Sequence, residues 1–227
     1  NYNDKNTTTI TKSRFYFNKA GNYGGCNYNN NYATITITET NHTQNQAKNG
    51  GVNANYGLLT IQSSNLNNNN AIRGGVNYNF KEIHINKSTF KNNKVTTHGG
   101  VNYNEVYRHL EIEDSTFKDN TAQQNGGVNY NNQGEIYSIL SKYINNSAMR
   151  GGVNYNDGEL TIQDSSLNSN VAKNGGVNYN YKNLTITDSN FTNNHATYGG
   201  VNYNNNGNLT ITNSNFTNNH ATYGGVN

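Results

Sequence analysis

The sequence predicts an all-β chain wound as a parallel β-helix, a solenoid of about nine coils of roughly 25 residues each. Three observations predict it. The pair Gly-Gly returns at residues 24, 50, 74, 99, 126, 151, 175, 199 and 224 (first Gly of each), at intervals of 24 to 27 residues. Between these marks apolar and polar residues alternate with the period of a strand. Proline is absent from all 227 residues, as expected where every strand is paired on both sides.

The unit reads Leu-Thr-Ile-x-x-Ser-x-Phe-x-x-Asn-x-Ala-x-x-Gly-Gly-Val-Asn-Tyr-Asn, and nine copies align. Its first apolar column includes Ile35, Leu59, Ile83, Leu110 and Leu184. Two residues on stand Ile37, Ile61, Ile85, Ile112 and Ile186, with Ser138 as the exception. Apolar residues at i and i+2 make a strand with one buried face. The residue between them is polar or variable (Thr36, Thr60, His84, Glu111, Tyr137, Thr161), so that column points outward.

The next column is Phe90, Phe117, Phe191 and Phe216, varied to His42, Leu66, Tyr143 and Leu167. Three residues later every copy has asparagine: Asn18, Asn45, Asn69, Asn93, Asn120, Asn146, Asn170, Asn194 and Asn219. Identical asparagines stacked one coil apart are expected to hydrogen-bond as a ladder. A small residue follows, alanine in eight copies and Val95 in the ninth. Gly-Gly then provides a tight corner with positive φ and close stacking of coils.

Composition agrees with this repeat. Only 31% of residues are apolar, and asparagine supplies 54 of 227. The mean hydropathy is -0.96. Without a pattern, such a chain would be disordered. One coil alone cannot fold. It buries about five apolar side chains at roughly 2 kcal/mol each, against an ordering cost on the order of 1–2 kcal/mol for each of about 25 residues. Stacking is obligatory, and at about 4.8 Å per coil the rod is roughly 43 Å long. A leucine-rich repeat is the main rival, but the unit lacks a spaced leucine series and helix formers.

The repeat spans residues 1–227 as a single domain. It begins at Asn1 and breaks off at Asn227 within a unit, which reads as a segment of a longer chain. The net charge is +3, with charges scattered singly, and no basic run suggests a nucleic-acid partner. No apolar run is long enough for membrane insertion within the segment. The single cysteine, Cys26, sits in the Val column and reads as a small buried hydrophobe.

Phe-x-x-Asn followed by Gly-Gly-apolar resembles the repeat of the chlamydial polymorphic membrane proteins. The stretch from Asn208 to Val226 is similar still more closely to the large Asn/Thr-rich adhesin-like proteins of methanogenic archaea. The resemblance covers nearly the whole chain. It implies a right-handed parallel β-helix at the cell surface, extracellular, used for adhesion or as a structural spacer. The partners it implies are cell-surface glycans or proteins, or other copies of the chain. This chain departs from the commoner Gly-Gly-Ala-Ile-Tyr-Asn form by having Val-Asn-Tyr-Asn.

That departure creates one candidate site. Tyr28, Tyr78, Tyr103, Tyr130, Tyr155, Tyr179 and Tyr203 form a column broken once by Ala54. Exposed, from Tyr78 to Tyr203, they would make a binding ribbon for sugars or protein. Strand alternation instead puts them on the face of the preceding Val, inside, and this reading is favoured slightly. Against it, alanine at position 54 would leave a cavity in a core.

Other candidates are weaker. An enzyme on this scaffold, a polysaccharide lyase or glycosidase, needs clustered carboxylates. The best cluster is Glu111, Glu113 and Asp114 near His84 and His109, and no catalytic residues are assigned from it. The Thr column would suit an ice-binding face, but His84, Glu111 and Tyr137 interrupt it. His195 and His220 share a freely varying column, and the calcium motif lacks its aspartate, so no metal or other cofactor is expected. Sequons at Asn41, Asn86, Asn145, Asn183 and Asn208, and at Asn6, Asn190 and Asn215, would permit glycosylation in a secreted protein.

Overall fold

Each strand lies parallel to its counterparts one coil before and one coil after. In the computed structural model, which describes Asn1–Asn227, there is no helix. The strands build four parallel sheets, three of nine strands and one of seven. We label them I to IV in the order met along a coil. Sheet I consists of triplets such as Asn77–Asn79 and Asn102–Asn104. Sheet II has five-residue strands such as Glu82–Asn86, and these number the coils, Thr7–Thr11 being coil 1 and His109–Glu113 coil 5. Sheet III includes Thr89–Lys91, and sheet IV includes Asn70–Arg73 and His195–Tyr198.

The register is the column alignment itself. Ile83, His84 and Ile85 lie opposite Leu110, Glu111 and Ile112. The two apolar columns of sheet II, the Phe column and the Val column merge into one continuous core of 28 buried residues. Ala71, Val95 and Ala122 form a separate seam beneath sheet IV.

Three left-handed positions recur in every coil, and Tyr107, Gln133 and Asn206 add a fourth in coils 5, 6 and 9. Only one of the three is glycine, the first of each pair, at φ between 57° and 67°. The second glycine is required by stacking: a β-carbon on Gly25 would strike the carbonyl of Gly51 in the next coil. The corners after sheets II and III use non-glycine residues such as Lys12, Glu39 and Leu140, or Phe17 and Asn68, at φ between 42° and 57°.

The expected asparagine ladder is present and fully bonded. Asn69 Nδ2 donates to Asn93 Oδ1 (3.1 Å) and to the His42 carbonyl (3.1 Å), while its Oδ1 accepts from the Asn45 backbone N–H and amide (both 3.0 Å). All four bonding positions of the amide are filled. Two further ladders escaped sequence reading, although their columns are as uniform. Asn27, Asn53, Asn77 and Asn102 bond in series at 2.8 Å. Asn29, Asn55 and Asn79 do the same at 2.8 and 3.1 Å and also bond corner carbonyls. A serine rail completes the set: the backbone N–H of Ser64 donates to Ser88 Oγ (3.1 Å), whose hydroxyl donates to the Asn86 carbonyl (2.8 Å).

The core carries two departures from the repeat, one compensated and one not. Ser138 replaces isoleucine and Tyr143 replaces phenylalanine in the same coil. Their hydroxyls meet at 2.6 Å, so the larger ring fills the space the smaller residue leaves. Ser138→Ile alone would clash with that hydroxyl, and Tyr143→Phe alone would strand Ser138. Each is expected to cost about 1–3 kcal/mol. The double variant recreates the Ile85–Phe90 pairing of coil 4 and should recover most of the loss in denaturant unfolding. Additive losses would reject the pairing.

His42 is the uncompensated departure. It is fully buried, stacked on Phe15 at 4.6 Å, and neither ring nitrogen has a hydrogen-bond partner. Burial pushes its pKa down from 6.5 to about 4. The unfolded chain therefore takes up a proton below pH 6.5 that the folded chain refuses until about pH 4. Stability should fall by up to about 3 kcal/mol across that window as pH drops. His42→Phe should raise the melting temperature and flatten its pH dependence there.

Candidate functional site

Sheet I does not alternate as the sequence suggests. The Val52 carbonyl accepts N–H bonds from both Cys26 and Asn27, and the Val76 carbonyl accepts from both Val52 and Asn53. Two consecutive donors on one acceptor bend the chain as a bulge does. Val and the following Asn both turn inward, Val76, Val101 and Val128 being fully buried and Asn77, Asn102 and Asn129 no more than 1% exposed. The tyrosine between two inward asparagines therefore points outward. Alternation predicts the Tyr column buried on the face of the Val; Tyr78, Tyr103 and Tyr179 are buried, at 3 to 6% exposure, but they lie outside the core that holds the Val column, and that placement is corrected.

The ribbon is outward but covered. Tyr78, Tyr103, Tyr130, Tyr155, Tyr179 and Tyr203 stack in unbroken series with ring centroids 4.8 to 5.3 Å apart. Every interior ring spends both faces on its neighbours. Along the interior of the column a ligand meets only edges and hydroxyls, so those rings offer no free face for a sugar to stack on. Groups at the ends of sheet IV strands close over it from one side. Arg73 lies over Tyr103 at 5.9 Å, Arg150 over Tyr179 at 5.7 Å, and His98 stacks on Tyr130 at 4.7 Å. Burial pushes the Tyr103 and Tyr130 hydroxyls up to about 12.

Ala54 leaves no cavity. Tyr56 leans into the missing place, 5.3 Å from Tyr28 and 4.1 Å from Phe80. Tyr23 packs edge-on against Tyr28, Tyr56, Tyr78 and Phe80 at 6.1 to 6.5 Å. Ala54 is 1% exposed beneath them.

Ionisable groups gather on the outer face of sheet II over coils 4 to 7. Stacking places Glu82, His109, Glu135 and Glu159 in one row and His84, Glu111 and Tyr137 in the next. His84 Nδ1 is 2.6 Å from Glu111 and its Nε2 is 2.8 Å from Glu82. Both ring nitrogens face carboxylates. His109 lies 3.6 Å from Glu135. Glu113 accepts from Asn86 at 2.7 Å. Asp114 occupies a left-handed corner beyond the strand, outside these contacts. The structure thus joins Glu111 to His84, adds Glu82 and Glu135, and leaves Asp114 out. The face is open, and its His and Glu side chains in these pairs are 34 to 56% exposed.

Beside it, the corner between sheets I and II holds a trench of about 320 Å³ running across coils 5 to 8. Arg108 and Lys182 stand at its ends, Glu135 and Glu159 line it, and Gly134 and Gly158 leave backbone as its floor. Tyr107 rises at the coil 5 end, 80% exposed.

The remaining candidates lie on the surface. Asn41 and Asn86 are half-buried, and Asn145, Asn183 and Asn208 are exposed. Asn145 donates to Asp119 at 2.6 Å and Asn183 to Glu159 at 2.8 Å. His195 and His220 are exposed and opposite in register. Cys26 is buried, which pushes its thiol up to about 12. No known protein family, curated protein or solved structure matches this chain.

The covered ribbon makes a counter-intuitive demand. Ala54→Tyr, which would make the column regular, should destabilise the protein by about 1–3 kcal/mol because Tyr23 and Tyr56 hold that space. Adding Tyr56→Gly should restore part of the melting temperature.

Proposed function

We propose that this chain is a non-catalytic β-solenoid segment of an extracellular, adhesin-like surface or fibre protein. Its work is reach, rigidity and the presentation of side chains along a rod. The observation that carries this reading is the continuity of the inter-coil ladders. Backbone pairing on sheets I, II and III runs through all nine coils, and three asparagine ladders run beside it. Variation falls on outward positions such as the column holding Thr36, His84, Glu111 and Tyr137. A chain built this way holds its length while its surface changes. The likeness to Asn/Thr-rich surface repeats supports the setting, and cell-surface glycans, surface proteins or further copies of the chain are the partners that suit it.

Its carboxylates and histidines lie on an open face and pair with one another, which supports a surface role over turnover. Brief protease treatment of intact source cells, followed by mass spectrometry, tests the location. Peptides from this chain should be released without lysis, and release only after lysis would overturn the reading. Hydrolysis or cleavage of a polysaccharide that is abolished by Glu111→Gln would overturn the non-catalytic assignment.

A further inference from the structure

The repeat keeps its period least well at one place. The interval from Gly99 to Gly126 is the longest, at 27 residues. Most of the extra length lies at the corner between sheets I and II, where Glu105–Arg108 separate Asn104 from the next strand, a corner as long as Asn30–Ala33 of coil 2. Two coils later the same corner is only Asp157 and Gly158. Insertions in solenoids map to loops on one face, often the binding face.

What the insertion builds is the trench. Its longer corner lifts Tyr107 and Arg108 over one end, and Lys182 closes the other. Tyr107 is held at φ 58°, a conformation that costs a bulky residue energy. It is 80% exposed and stacks on no other aromatic ring. Unlike the ribbon tyrosines, it keeps its ring faces free.

We propose that this trench on coils 5 to 8 binds a short stretch of neutral polysaccharide laid along the rod axis. Tyr107 supplies the stacking face for a sugar ring. Arg108 and Lys182 donate to hydroxyls, and Glu135 and Glu159 accept from them. The wall charges cancel, two positive from Arg108 and Lys182 and two negative from Glu135 and Glu159, which suits an uncharged polyol rather than a nucleic acid or acidic polymer. A volume of about 320 Å³ suits a small extended ligand, not a folded domain. An extended peptide would seek unpaired strand edges, whereas the strands beside the trench are paired on both sides.

This inference deepens the proposed surface role by naming a ligand class and a place. The test is a glycan array carrying neutral β- and α-linked glucans, mannans and N-acetylglucosamine oligomers beside uronic and sulfated polymers, followed by calorimetry with the best neutral oligomer. Binding should weaken about tenfold or more in Tyr107→Ala and in Glu159→Gln. It should be unchanged in Tyr32→Ala, an exposed tyrosine in the equivalent corner of coil 2. Unaltered melting curves confirm that the variants fold, as expected for exposed positions. Binding that survives both trench variants, preference for acidic polymers, or no binding to any glycan would each overturn the proposal. None of these outcomes changes the protease-release result on which the surface reading stands.

Discussion

The structure depends on one demand: a buried asparagine must find its own likeness one coil away. An amide hidden from water has four bonding positions to fill, and leaving them empty is costly. Here the next coil fills them with an identical amide. The partner cannot be changed singly without orphaning its neighbours. This accounts for three asparagine columns that tolerate nothing else, in a chain whose outward columns vary freely. It also accounts for a fold that survives on few apolar residues. The amide ladders supply cross-coil cohesion that a larger protein obtains from its core.

Repetition at this level converts local errors into visible departures. Ser138 and Tyr143 answer each other across the core, and Tyr56 with Tyr23 answers Ala54 on the outside. His42 has no such answer, and its cost appears as acid sensitivity rather than as a visible gap. The tyrosine ribbon follows the same logic outside the rod. Its rings are partners to one another, so their regularity speaks for cohesion more than for recognition. Recognition is better sought where the repeat is broken, at the long corner that raises Tyr107.

Most of the fold was legible in the sequence because a solenoid writes its geometry as columns. The sheet II core faces, the Gly-Gly corner and the Asn18 series were all visible as residues that recur. The facing of the Tyr column was not. Alternation assumes an evenly extended chain, and the shared carbonyl at Val52 and Val76 breaks that assumption without changing any residue type. The acid–histidine group was half legible. Same-face residues along one strand are about 7 Å apart, while stacked residues across coils are about 4.8 Å apart. Glu82 and Glu135 were therefore nearer to the histidines than the linear sequence implied. The trench was signalled only by an irregular interval, which marks that a loop exists but not what it encloses.

The ladder also governs how such a chain ages. Asparagine followed by glycine is chemically fragile, because the glycine nitrogen can attack the side-chain amide and expel ammonia. Four such pairs occur, at Asn49, Asn125, Asn174 and Asn206. In the first three the glycine N–H is committed to a carbonyl of the next coil, Gly50 to Arg73 at 3.0 Å, Gly126 to Arg150 at 2.9 Å and Gly175 to Tyr198 at 2.8 Å. Strand pairing holds that nitrogen away from the amide beside it. Gly207 has no such bond, and Asn206 stands exposed at φ 101°. An Asn-rich rod is thus preserved by its own winding, and its chemical clock starts at the one pair left outside, readable by mass spectrometry of the peptide that holds Asn206.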